Sequence, residues 1–346
     1  MKRDYTLTGP DSARARASGL AGAKWYATPV PRPVMKELMT RRDWPAVRDT
    51  TIWLVALVSS GTLAYFAWGS IWAVPCFIVY GVLYGSCGDS RWHECGHGTA
   101  FRSRWLNVLI YHFAAFLILR NGILWRWSHS RHHTDTIIVG RDPEIAAPRP
   151  PNLLGVVLDL LYLRTGAAEL RRMIRHVCGI MSPDERDFVP DSERWKVFLE
   201  ARIQFAVLCA AAICSVLIRS LMPLMFIGLP TFYGAWMDLV VFAYMQHAGL
   251  AEDVTDHRLN TRTVYLNPIF RFVYWNMNYH VEHHMFPMVP YHALPKLHQV
   301  IKDDCPPAYS GVISAWREIV PTLWRQRRDP TFFVMRPLPP ARESSV

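Results

Sequence analysis

The sequence predicts an all-α integral membrane protein with four transmembrane helices arranged as two hairpins. Of its 346 residues, 51% are hydrophobic and only 19% are charged. The apolar residues form nearly uninterrupted runs, so a soluble core of two buried hairpins would leave these helices without a solvated face. The predicted spans cover about residues 50–69, 71–90, 202–221 and 224–246. Each run is long enough to cross a hydrocarbon core of roughly 30 Å.

The distribution of charge predicts the orientation of these spans. The formal net charge is +10, and nearly all Lys and Arg residues lie in the N-terminal arm, in 88–202 and in the C-terminal part. The turn at Gly69-Ser70 is uncharged, and the second turn carries only Arg219. The positive-inside rule therefore places both termini in the cytosol. Because the basic residues flank predicted spans, topology explains them more simply than a nucleic-acid partner, and we expect no such partner.

The remaining sequence organises around one membrane domain at 47–330. We expect a cytosolic N-terminal arm at 1–46, partly disordered, and a loose C-terminal tail at 331–346. The apolar run 105–119 is short for a span and is expected to form an interfacial or re-entrant helix. The seven cysteines contain no C-x-x-C pair. This argues against a disulfide framework or an iron–sulfur site.

Three short clusters contain eight of the fourteen histidines. Positions i, i+3 and i+4 lie on one side of a helix, so each cluster presents two or three imidazoles in one direction. Clustered imidazole indicates a transition metal, with zinc, copper, iron and nickel as candidates. Eight ligands exceed what one ion can take, so the sequence predicts two ions. The clusters are His93 and His97, then His129, His132 and His133, and finally His280, His283 and His284.

The predicted topology places all three clusters on the cytosolic side. The first continues the second span, the second follows the interfacial run, and the third lies beyond the fourth span. We therefore expect a cytosolic helical cap that carries a histidine-rich di-metal site. Two metals beside the membrane favour redox chemistry by iron with dioxygen, although the ligand type alone also allows copper or zinc.

Two other classes of protein are compatible with part of the pattern. His93-Glu94-x-x-His97 matches the H-E-x-x-H signature of zinc proteases. That interpretation leaves the two later clusters unexplained. A membrane metal-binding protein, such as a carrier or sensor, is the other class. Transporters hold polar ligands near the bilayer midplane, whereas these clusters lie outside it.

The order and spacing of the clusters resemble those of the membrane fatty acid desaturase and hydroxylase superfamily. Its histidine boxes follow the patterns H-x(3,4)-H, H-x(2,3)-H-H and [HQ]-x-x-H-H, and the resemblance runs from about Ile52 to His298. It implies that the eight cluster histidines bind two iron ions. It also implies a ninth histidine ligand after the fourth span, and His247 in Tyr244-Met-Gln-His-Ala-Gly-Leu occupies that place.

Polar and aromatic residues near the clusters are further site candidates. Carboxylates and amides there would hold the free imidazole nitrogens and fix their tautomers. The candidates are Asp135, Asp142, Asn276, Asn278, Glu282 and His257. Trp125 and Trp127, just before the second cluster, are candidates for a substrate wall or an interfacial belt. The other histidines are expected to pack without a site role, namely His112, His176, His292 and His298.

The resemblance implies O₂ as co-substrate and electrons from a separate donor of the ferredoxin, rubredoxin or cytochrome b5 type with its reductase. The chain lacks the His-Pro-Gly-Gly signature of a fused cytochrome b5. The segment 278–287 is similar to desaturases, whereas Gln246-His-Ala-Gly-Leu and Asp142-Pro-Glu resemble alkane hydroxylases. Both reactions begin with hydrogen abstraction and diverge through geometry on the order of 1 Å. Desaturation of an acyl or alkyl chain is favoured, with hydroxylation of an alkyl or small substrate as the alternative.

Overall fold

The computed structural model describes residues 3–339, and their regular structure is helical. This part of the chain contains no strand. Two isolated β-bridges join Thr263 with Tyr279 and Val264 with Tyr309. The prediction of an all-α fold is confirmed. The first two residues of the N-terminal arm and residues 340–346 of the predicted tail lie outside the described residues.

The N-terminal half contains helices of very different lengths. They are α1 (Pro10–Ala17), α2 (Arg32–Leu38), α3 (Asp43–Phe66), α4 (Ala73–Gly81), α5 (Cys87–Gly96), α6 (Arg104–Leu117) and α7 (Gly122–Thr134), with a π-helix (Val82–Ser86) between α4 and α5. The middle of the chain contains α8 (Leu153–Leu160), α9 (Leu163–Val177), α10 (Pro183–Phe188) and α11 (Asp191–Leu217).

The fourth apolar run is divided into short pieces. These are α12 (Met222–Phe226), α13 (Leu229–Gly234), α14 (Trp236–Asp238), a π-helix (Leu239–Ala243) and α15 (Tyr244–His247). The C-terminal part contains α16 (His257–Asn260), α17 (Pro268–Val273), α18 (His280–Met285), α19 (Leu294–Ile301), a 3₁₀-helix (Lys302–Asp304) and α20 (Val312–Arg328).

One helix of the described residues, α11, is long and apolar enough to cross a membrane by length and composition. It contains most of the third predicted span. Helices α6 and α7 meet the same criteria only as a pair and are bent by 100° at their break, as in a broken span or a re-entrant loop. An interfacial or re-entrant helix at 105–119 stays a prediction. The arrangement of four spans is not confirmed and stays a prediction.

The chain folds as two compact units, each built from separate stretches of sequence. The first unit comprises the described parts of Met1–Arg41, Ser128–Leu153 and Val241–Val346. The second comprises Arg42–Trp127 and Leu154–Val240. The second and third histidine clusters and His247 belong to the first unit. The first cluster and most of the apolar runs belong to the second unit.

In the second unit, helices α4 and α13 approach each other through glycine. A Cβ added at Gly234 would lie 1.8 Å from the carbonyl oxygen of Gly81, so no larger residue fits without movement. The Ser86 hydroxyl donates to the Gly234 carbonyl at 2.8 Å and accepts from the Asp238 amide at 2.9 Å. This hydrogen bonding satisfies backbone groups beside the first π-helix, where the regular ladder changes.

In the first unit, the N-terminal arm packs against C-terminal segments. The Trp25 ring stacks on His257 with centroids 4.2 Å apart and planes 7° apart. The Tyr26 hydroxyl donates to Asp304 at 2.6 Å, and the Arg258 guanidinium lies 3.6 Å from the Tyr26 ring centroid. These contacts hold Trp25 and Tyr26 of the arm against the C-terminal segments. The prediction that part of the arm is disordered stays a prediction.

Candidate metal centre

The second cluster lies on the part of α7 that belongs to the first unit, from Ser128 onward, and the third cluster lies on α18. On a helix, positions i and i+4 differ in direction by about 40°, whereas position i+3 lies about 60° away on the other side of i. Each of these clusters therefore presents two imidazoles close together and a third imidazole turned aside. The structure groups the histidines in this way.

The first group consists of His129 and His133 of α7 with His283 of α18. One ligand nitrogen from each lies within 4.8 Å of the others. The Nε2 atom of His133 is 3.1 Å from Nε2 of His129 and 3.1 Å from Nε2 of His283. The two histidines from α7 are the i and i+4 members of their cluster, and His283 is the i+3 member of its own.

The second group contains the complementary histidines. His132, His247 and His284 each contribute a ligand nitrogen within 4.8 Å of the others. The Nε2 atom of His280 is 3.2 Å from Nε2 of His247 and 3.1 Å from Nε2 of His284. The first unit thus contains seven of the nine predicted ligands as two separate groups, which matches the number of ions predicted from the sequence.

Two carboxylates orient the α7 imidazoles. The Nδ1 atom of His132 lies 2.9 Å from Asp142 Oδ2, and Nδ1 of His129 lies 2.9 Å from Glu144 Oε2. Burial alone would raise the pKa of Glu144, but His129 and the hydroxyl of Ser128 outweigh it and lower this pKa to about 2. Glu144 is therefore an anion that accepts the Nδ1 proton of its imidazole.

Two neutral acceptors orient histidines of the second group. The Nδ1 atom of His247 lies 2.8 Å from the carbonyl oxygen of Asn260, which can only accept. The Thr136 hydroxyl donates to the His132 carbonyl at 2.6 Å. Because its proton is used in this way, the Thr136 hydroxyl oxygen accepts from Nδ1 of His284 at 3.3 Å. These contacts assign the proton to Nδ1 in both rings.

The consequence is a set of bare Nε2 atoms that face one another. A neutral imidazole carries one N–H, so rings that donate through Nδ1 present a lone pair at Nε2. Two nitrogens bound to one ion at about 2.1 Å lie about 3.0–3.4 Å apart, depending on the angle between the two bonds. The separations of 3.1 and 3.2 Å fit this geometry. Neutral imidazole is a ligand that suits iron, zinc, copper and nickel, so the residues present fit a transition-metal centre.

The electrostatic environment keeps three of these ligands neutral. Desolvation by burial lowers the pKa of His247, His280 and His284 well below the usual histidine value. Burial also acts to lower the pKa of His132, but the Asp142 carboxylate outweighs it and raises this pKa. A carboxylate partner makes an imidazole a stronger donor to a metal.

The loop after α7 holds Asp142 in place. Ile137 has a φ of 57°, and its amide donates to Asp142 Oδ2 at 2.7 Å. A left-handed conformation at a non-glycine residue costs of order 1–3 kcal/mol and persists only where surrounding contacts enforce it. Gly140, with a φ of 74°, allows close packing, since an added Cβ would lie 2.4 Å from the Ser12 amide nitrogen. The tertiary structure therefore supports the position of the carboxylate.

His257 flanks the second group. Its ring centroid lies 5.1 Å from that of His284, and its other face is covered by Trp25. Burial lowers the pKa of His257 to about 3, so the ring is neutral. Its nitrogens are not among those that group within 4.8 Å. A site role for His257 stays a prediction.

Three of the predicted polar candidates stabilise loops near the clusters through an ion pair or through hydrogen bonds to the backbone. Asp135 forms an ion pair with Arg141 at 3.0 Å. Asn276 and Asn278 donate their amide groups to backbone carbonyl oxygens at 3.1 and 2.8 Å. These contacts differ from the imidazole contacts expected from sequence, because the loops bring backbone acceptors closer to these side chains.

Glu282 lies on α18 and contacts a histidine outside the clusters. It accepts from the Thr263 hydroxyl at 2.5 Å and pairs with Nδ1 of His298. The other ring nitrogen of His298 is 2.9 Å from the Tyr265 hydroxyl. The sequence indicated only ordinary packing for His298, and the structure instead shows a buried polar partner of Glu282.

The first cluster lies at the end of α5 in the second unit, with His93 inside the helix and His97 directly after its last residue. The ring centroids of His93 and His97 are 5.1 Å apart, as expected for positions i and i+4. The Nδ1 atom of His93 lies 3.2 Å from Glu94 Oε1. This local arrangement is suited to two ligands that point in the same direction.

The two tryptophans proposed as a substrate wall are half-buried in the second unit. Trp125 and Trp127 pack against a buried apolar cluster that consists of Leu124, Met181, Val189 and Val197. The Arg120 guanidinium also lies over the Trp125 ring, 4.5 Å from its centroid. A contact of either tryptophan with substrate stays a prediction.

Three residues that hold imidazoles were not among the sequence candidates. Glu144 is the one with a detectable signal, since it follows the second cluster in Asp142-Pro-Glu. Asn260 acts through its backbone carbonyl, which no side-chain pattern can indicate. Thr136 lies four residues after His132, a spacing that is common in helices and has no specificity of its own.

Comparison with known proteins agrees with this site. A family model described as fatty acid desaturase matches residues 69–316. The chain is 26% identical over 328 residues to "Probable fatty acid desaturase DES1" of Sorghum bicolor, covering 86% of this chain and 75% of that protein. It is 25% identical over 276 residues to "Delta(12) fatty acid desaturase FAD2" of Calendula officinalis, with 69% and 67% covered.

A third relative is "Omega-3 fatty acid desaturase, endoplasmic reticulum" of Nicotiana tabacum, 24% identical over 232 residues, with 58% of each chain covered. The fold and the histidine groups define a helical protein of the histidine-box class whose imidazoles are suited to hold metal. The chain belongs to the fatty acid desaturase family. It is therefore an oxidoreductase, and the resemblance noted in the sequence is confirmed.

Proposed function

We propose that this protein is an integral membrane di-iron enzyme that desaturates an acyl or alkyl chain. The reaction consumes O₂ and takes electrons from a separate donor. One observation carries the proposal: the first unit holds two histidine groups, and three of their Nδ1 atoms are engaged by Asp142, Glu144 and the carbonyl oxygen of Asn260. The Nε2 atoms of those three rings are thereby left to bind metal.

The proposed ligand set extends beyond these two groups. The family resemblance adds His93 and His97, which gives nine histidines for two irons. When bound, the irons would supply the activation of O₂ and the removal of hydrogen from an unactivated C–H bond. Because the proposed ligands are all imidazoles, which bind metal as neutral groups, they would not cancel the positive charge of the metal, in contrast to the carboxylates of soluble di-iron bundles.

The residues of this chain prepare the centre in three ways. Asp142 and Glu144 fix the tautomers of two α7 imidazoles and increase their donor strength. Burial lowers the pKa of His280 and His284, which keeps these ligands free of protons at neutral pH. Burial also excludes water from the two groups, which protects a reactive centre from side reactions.

The substrate and partners follow from the relatives and from the composition. The names of the relatives describe fatty acid desaturases, which supports an acyl chain as substrate. The chain has no C-x-x-C pair, so electrons would come from a ferredoxin, rubredoxin or cytochrome b5 type donor with its reductase. The four predicted spans would place the metal site and both termini on the cytosolic side.

Product analysis tests this proposal directly. Cells that express the protein are compared by lipid mass spectrometry with cells that express the His132→Ala variant. We expect acyl chains that have lost two hydrogens in the first culture alone. Metal analysis of the purified protein should show iron. Zinc as the sole metal, or undiminished product formation by the variant, would contradict the proposal.

Hydroxylation is the alternative that a specific observation favours. Both carboxylates of Asp142-Pro-Glu contact imidazoles of the second cluster, and this segment resembles that of alkane hydroxylases. The same mass spectra distinguish the reactions, because a hydroxylase product gains one oxygen. Such a product would be consistent with the proposed metal centre, but the reaction would then be hydroxylation rather than desaturation.

A further inference from the structure

Helix α20 of the first unit has two faces of opposite environment. One face is buried and consists of Ala315, Ile319, Thr322, Leu323 and Gln326. The opposite face is exposed and consists of Ile313, Arg317, Val320, Trp324, Arg327 and Arg328. We call this second set the outer face. The buried face accounts for the attachment of the helix, so the outer face needs a separate explanation.

The outer face contains a stripe of large apolar side chains. Ile313 is 70% exposed, Val320 is 58% exposed and Trp324 is 55% exposed. At 3.6 residues per turn, these three positions lie within about 40° of one another. Single exposed apolar residues are common on proteins, but an aligned row beside an indole is typical of helices that lie on a membrane.

The same face is cationic. Arg317, Arg327 and Arg328 are exposed beside the apolar stripe. The acidic residue of the helix, Glu318, is turned away and forms an ion pair with Arg262 at 3.0 Å. Its charge is therefore engaged within the first unit. Anionic lipid headgroups complement three arginines whose charge has no carboxylate of the helix beside it.

The helix packs at the end of the fourth predicted span. The Trp316 ring centroid lies 6.3 Å from that of Tyr244, which belongs to the predicted span 224–246. A Cβ added at Gly249, just beyond that span, would lie 2.6 Å from the methyl group of Thr322. These contacts put α20 at the level where the proposed span meets the cytosol. Trp and Arg residues are favoured at that depth.

We infer that the outer face of α20 lies on the cytosolic surface of the bilayer and binds anionic lipid headgroups. Ile313, Val320 and Trp324 enter the boundary between headgroups and acyl chains, and the arginines contact phosphate groups. The inference rests on the proposed membrane insertion of the chain. A soluble acidic protein would also complement the arginines, but it would leave the aligned apolar stripe without a hydrocarbon partner.

An environment-sensitive label tests the inference in the full-length protein. Cys178 and Cys214, which are exposed, are first replaced by Ser. Val320→Cys is then labelled with a nitrobenzoxadiazole dye, and Gln299→Cys on α19 provides an exposed control outside the outer face. The proteins are placed in nanodiscs of phosphatidylcholine alone or with phosphatidylglycerol. Lipids with a doxyl group in the acyl chain act as quenchers.

We expect emission from the Val320 label to shift to shorter wavelength and to be quenched, more strongly with phosphatidylglycerol. The Gln299 label should show neither change. Replacement of Arg317, Arg327 and Arg328 by Gln should remove the dependence on phosphatidylglycerol. Equal behaviour of the two labels in both lipids overturns the inference. Protection of the Val320 label only after addition of a soluble electron donor also overturns it, in favour of a protein partner.

Carbonate extraction of the unlabelled protein separates this result from the proposed membrane insertion. A chain that remains in the membrane while its Val320 label behaves as water-exposed contradicts the inference about α20 alone. A chain that is extracted contradicts the proposed spans, and it then also contradicts the inference about α20.

Discussion

The two units of the molecule differ in what their close contacts serve. In the second unit, the contact of Gly234 with Gly81 serves helix packing, since an added Cβ at Gly234 would lie 1.8 Å from the Gly81 carbonyl oxygen. In the first unit, the carboxylates of Asp142 and Glu144 accept protons from imidazoles that face a potential metal site. The comparison teaches that Asp142 and Glu144 orient the imidazole donors, whereas Gly81 and Gly234 allow two helices to pack closely. Substitutions at these carboxylates should change metal binding, whereas substitutions at the glycine contact should change the stability of the second unit.

Loss of a ligand should have the largest effect. His132→Ala and His283→Ala each remove one imidazole from a different histidine group. We expect activity to fall by more than about 100-fold together with loss of bound iron, because replacement of an outer partner alone typically costs 10–100-fold. Product formation and iron content per protein are the measurements. His112→Gln, a half-exposed histidine of the second unit, should leave both unchanged.

Asp142→Asn should have the next largest effect. The amide keeps the shape of the side chain but cannot accept from both His132 Nδ1 and the Ile137 amide with full negative charge. We expect a loss of about 10–100-fold in metal affinity, measured by competition with a chelator. Asp135→Asn, which alters an ion pair with Arg141 in the same loop, is the matched control. Equal affinity in the two variants would show that Asp142 has no special role.

Gly234→Ala should affect stability rather than the metal. Its new Cβ would overlap the Gly81 carbonyl, which lies 1.8 Å from the position of the added atom. Overpacking of this kind typically costs about 1–3 kcal/mol. We expect a lower thermal unfolding temperature in detergent and a smaller yield. Iron per folded molecule should remain normal, and a selective loss of iron would break the distinction between the units.

The smallest effect concerns the pH dependence of the metal-free protein. Burial holds the pKa of His247, His280 and His284 well below the unfolded value of about 6.5. Below about pH 6.5 the unfolded chain binds more protons than the folded chain, so the free energy of unfolding falls as the pH falls. Each histidine should contribute a loss of about 0.7 kcal/mol between about pH 7 and about pH 6.

Thermal unfolding after chelation measures this dependence. His247→Gln should weaken it, because one of the three groups is then absent. A stability that rises as the pH is lowered through this range would contradict the prediction. Between about pH 7.5 and 8.5 these histidines are neutral in both states and should contribute nothing.

Much of the site could be predicted because its signals are local. The i, i+3 and i+4 spacing of His129, His132 and His133 places them on one side of a helix in any fold. The position of His247 came from resemblance to a family rather than from its own surroundings. Of the polar candidates, Asp142 contacts a cluster imidazole, while Asp135 pairs with Arg141. Loop conformation decided this difference.

The helical class of the fold was also predictable from local signals, but the breaks within its helices were not. Apolar runs indicated helices, and the described residues are helical. The run 224–246 is nevertheless divided into short helices and a π-helix. Close contact at Gly81 and Gly234 and the hydrogen bonds of Ser86 alter the regular ladder there. Such contacts join residues far apart in sequence, so hydropathy alone does not reveal them.

The sequence by itself determined that the protein is helical and that its histidines form three clusters, and it predicted two metal ions. These properties depend on composition and on spacing within single helices. Only the tertiary structure decided how the clusters combine, with His129 and His133 joined by His283, and His132 joined by His280, His284 and His247. The physical reason is that helix geometry separates the i+3 imidazole from its neighbours by about 60–100°. The partner that each imidazole then meets depends on how α7, α15 and α18 pack.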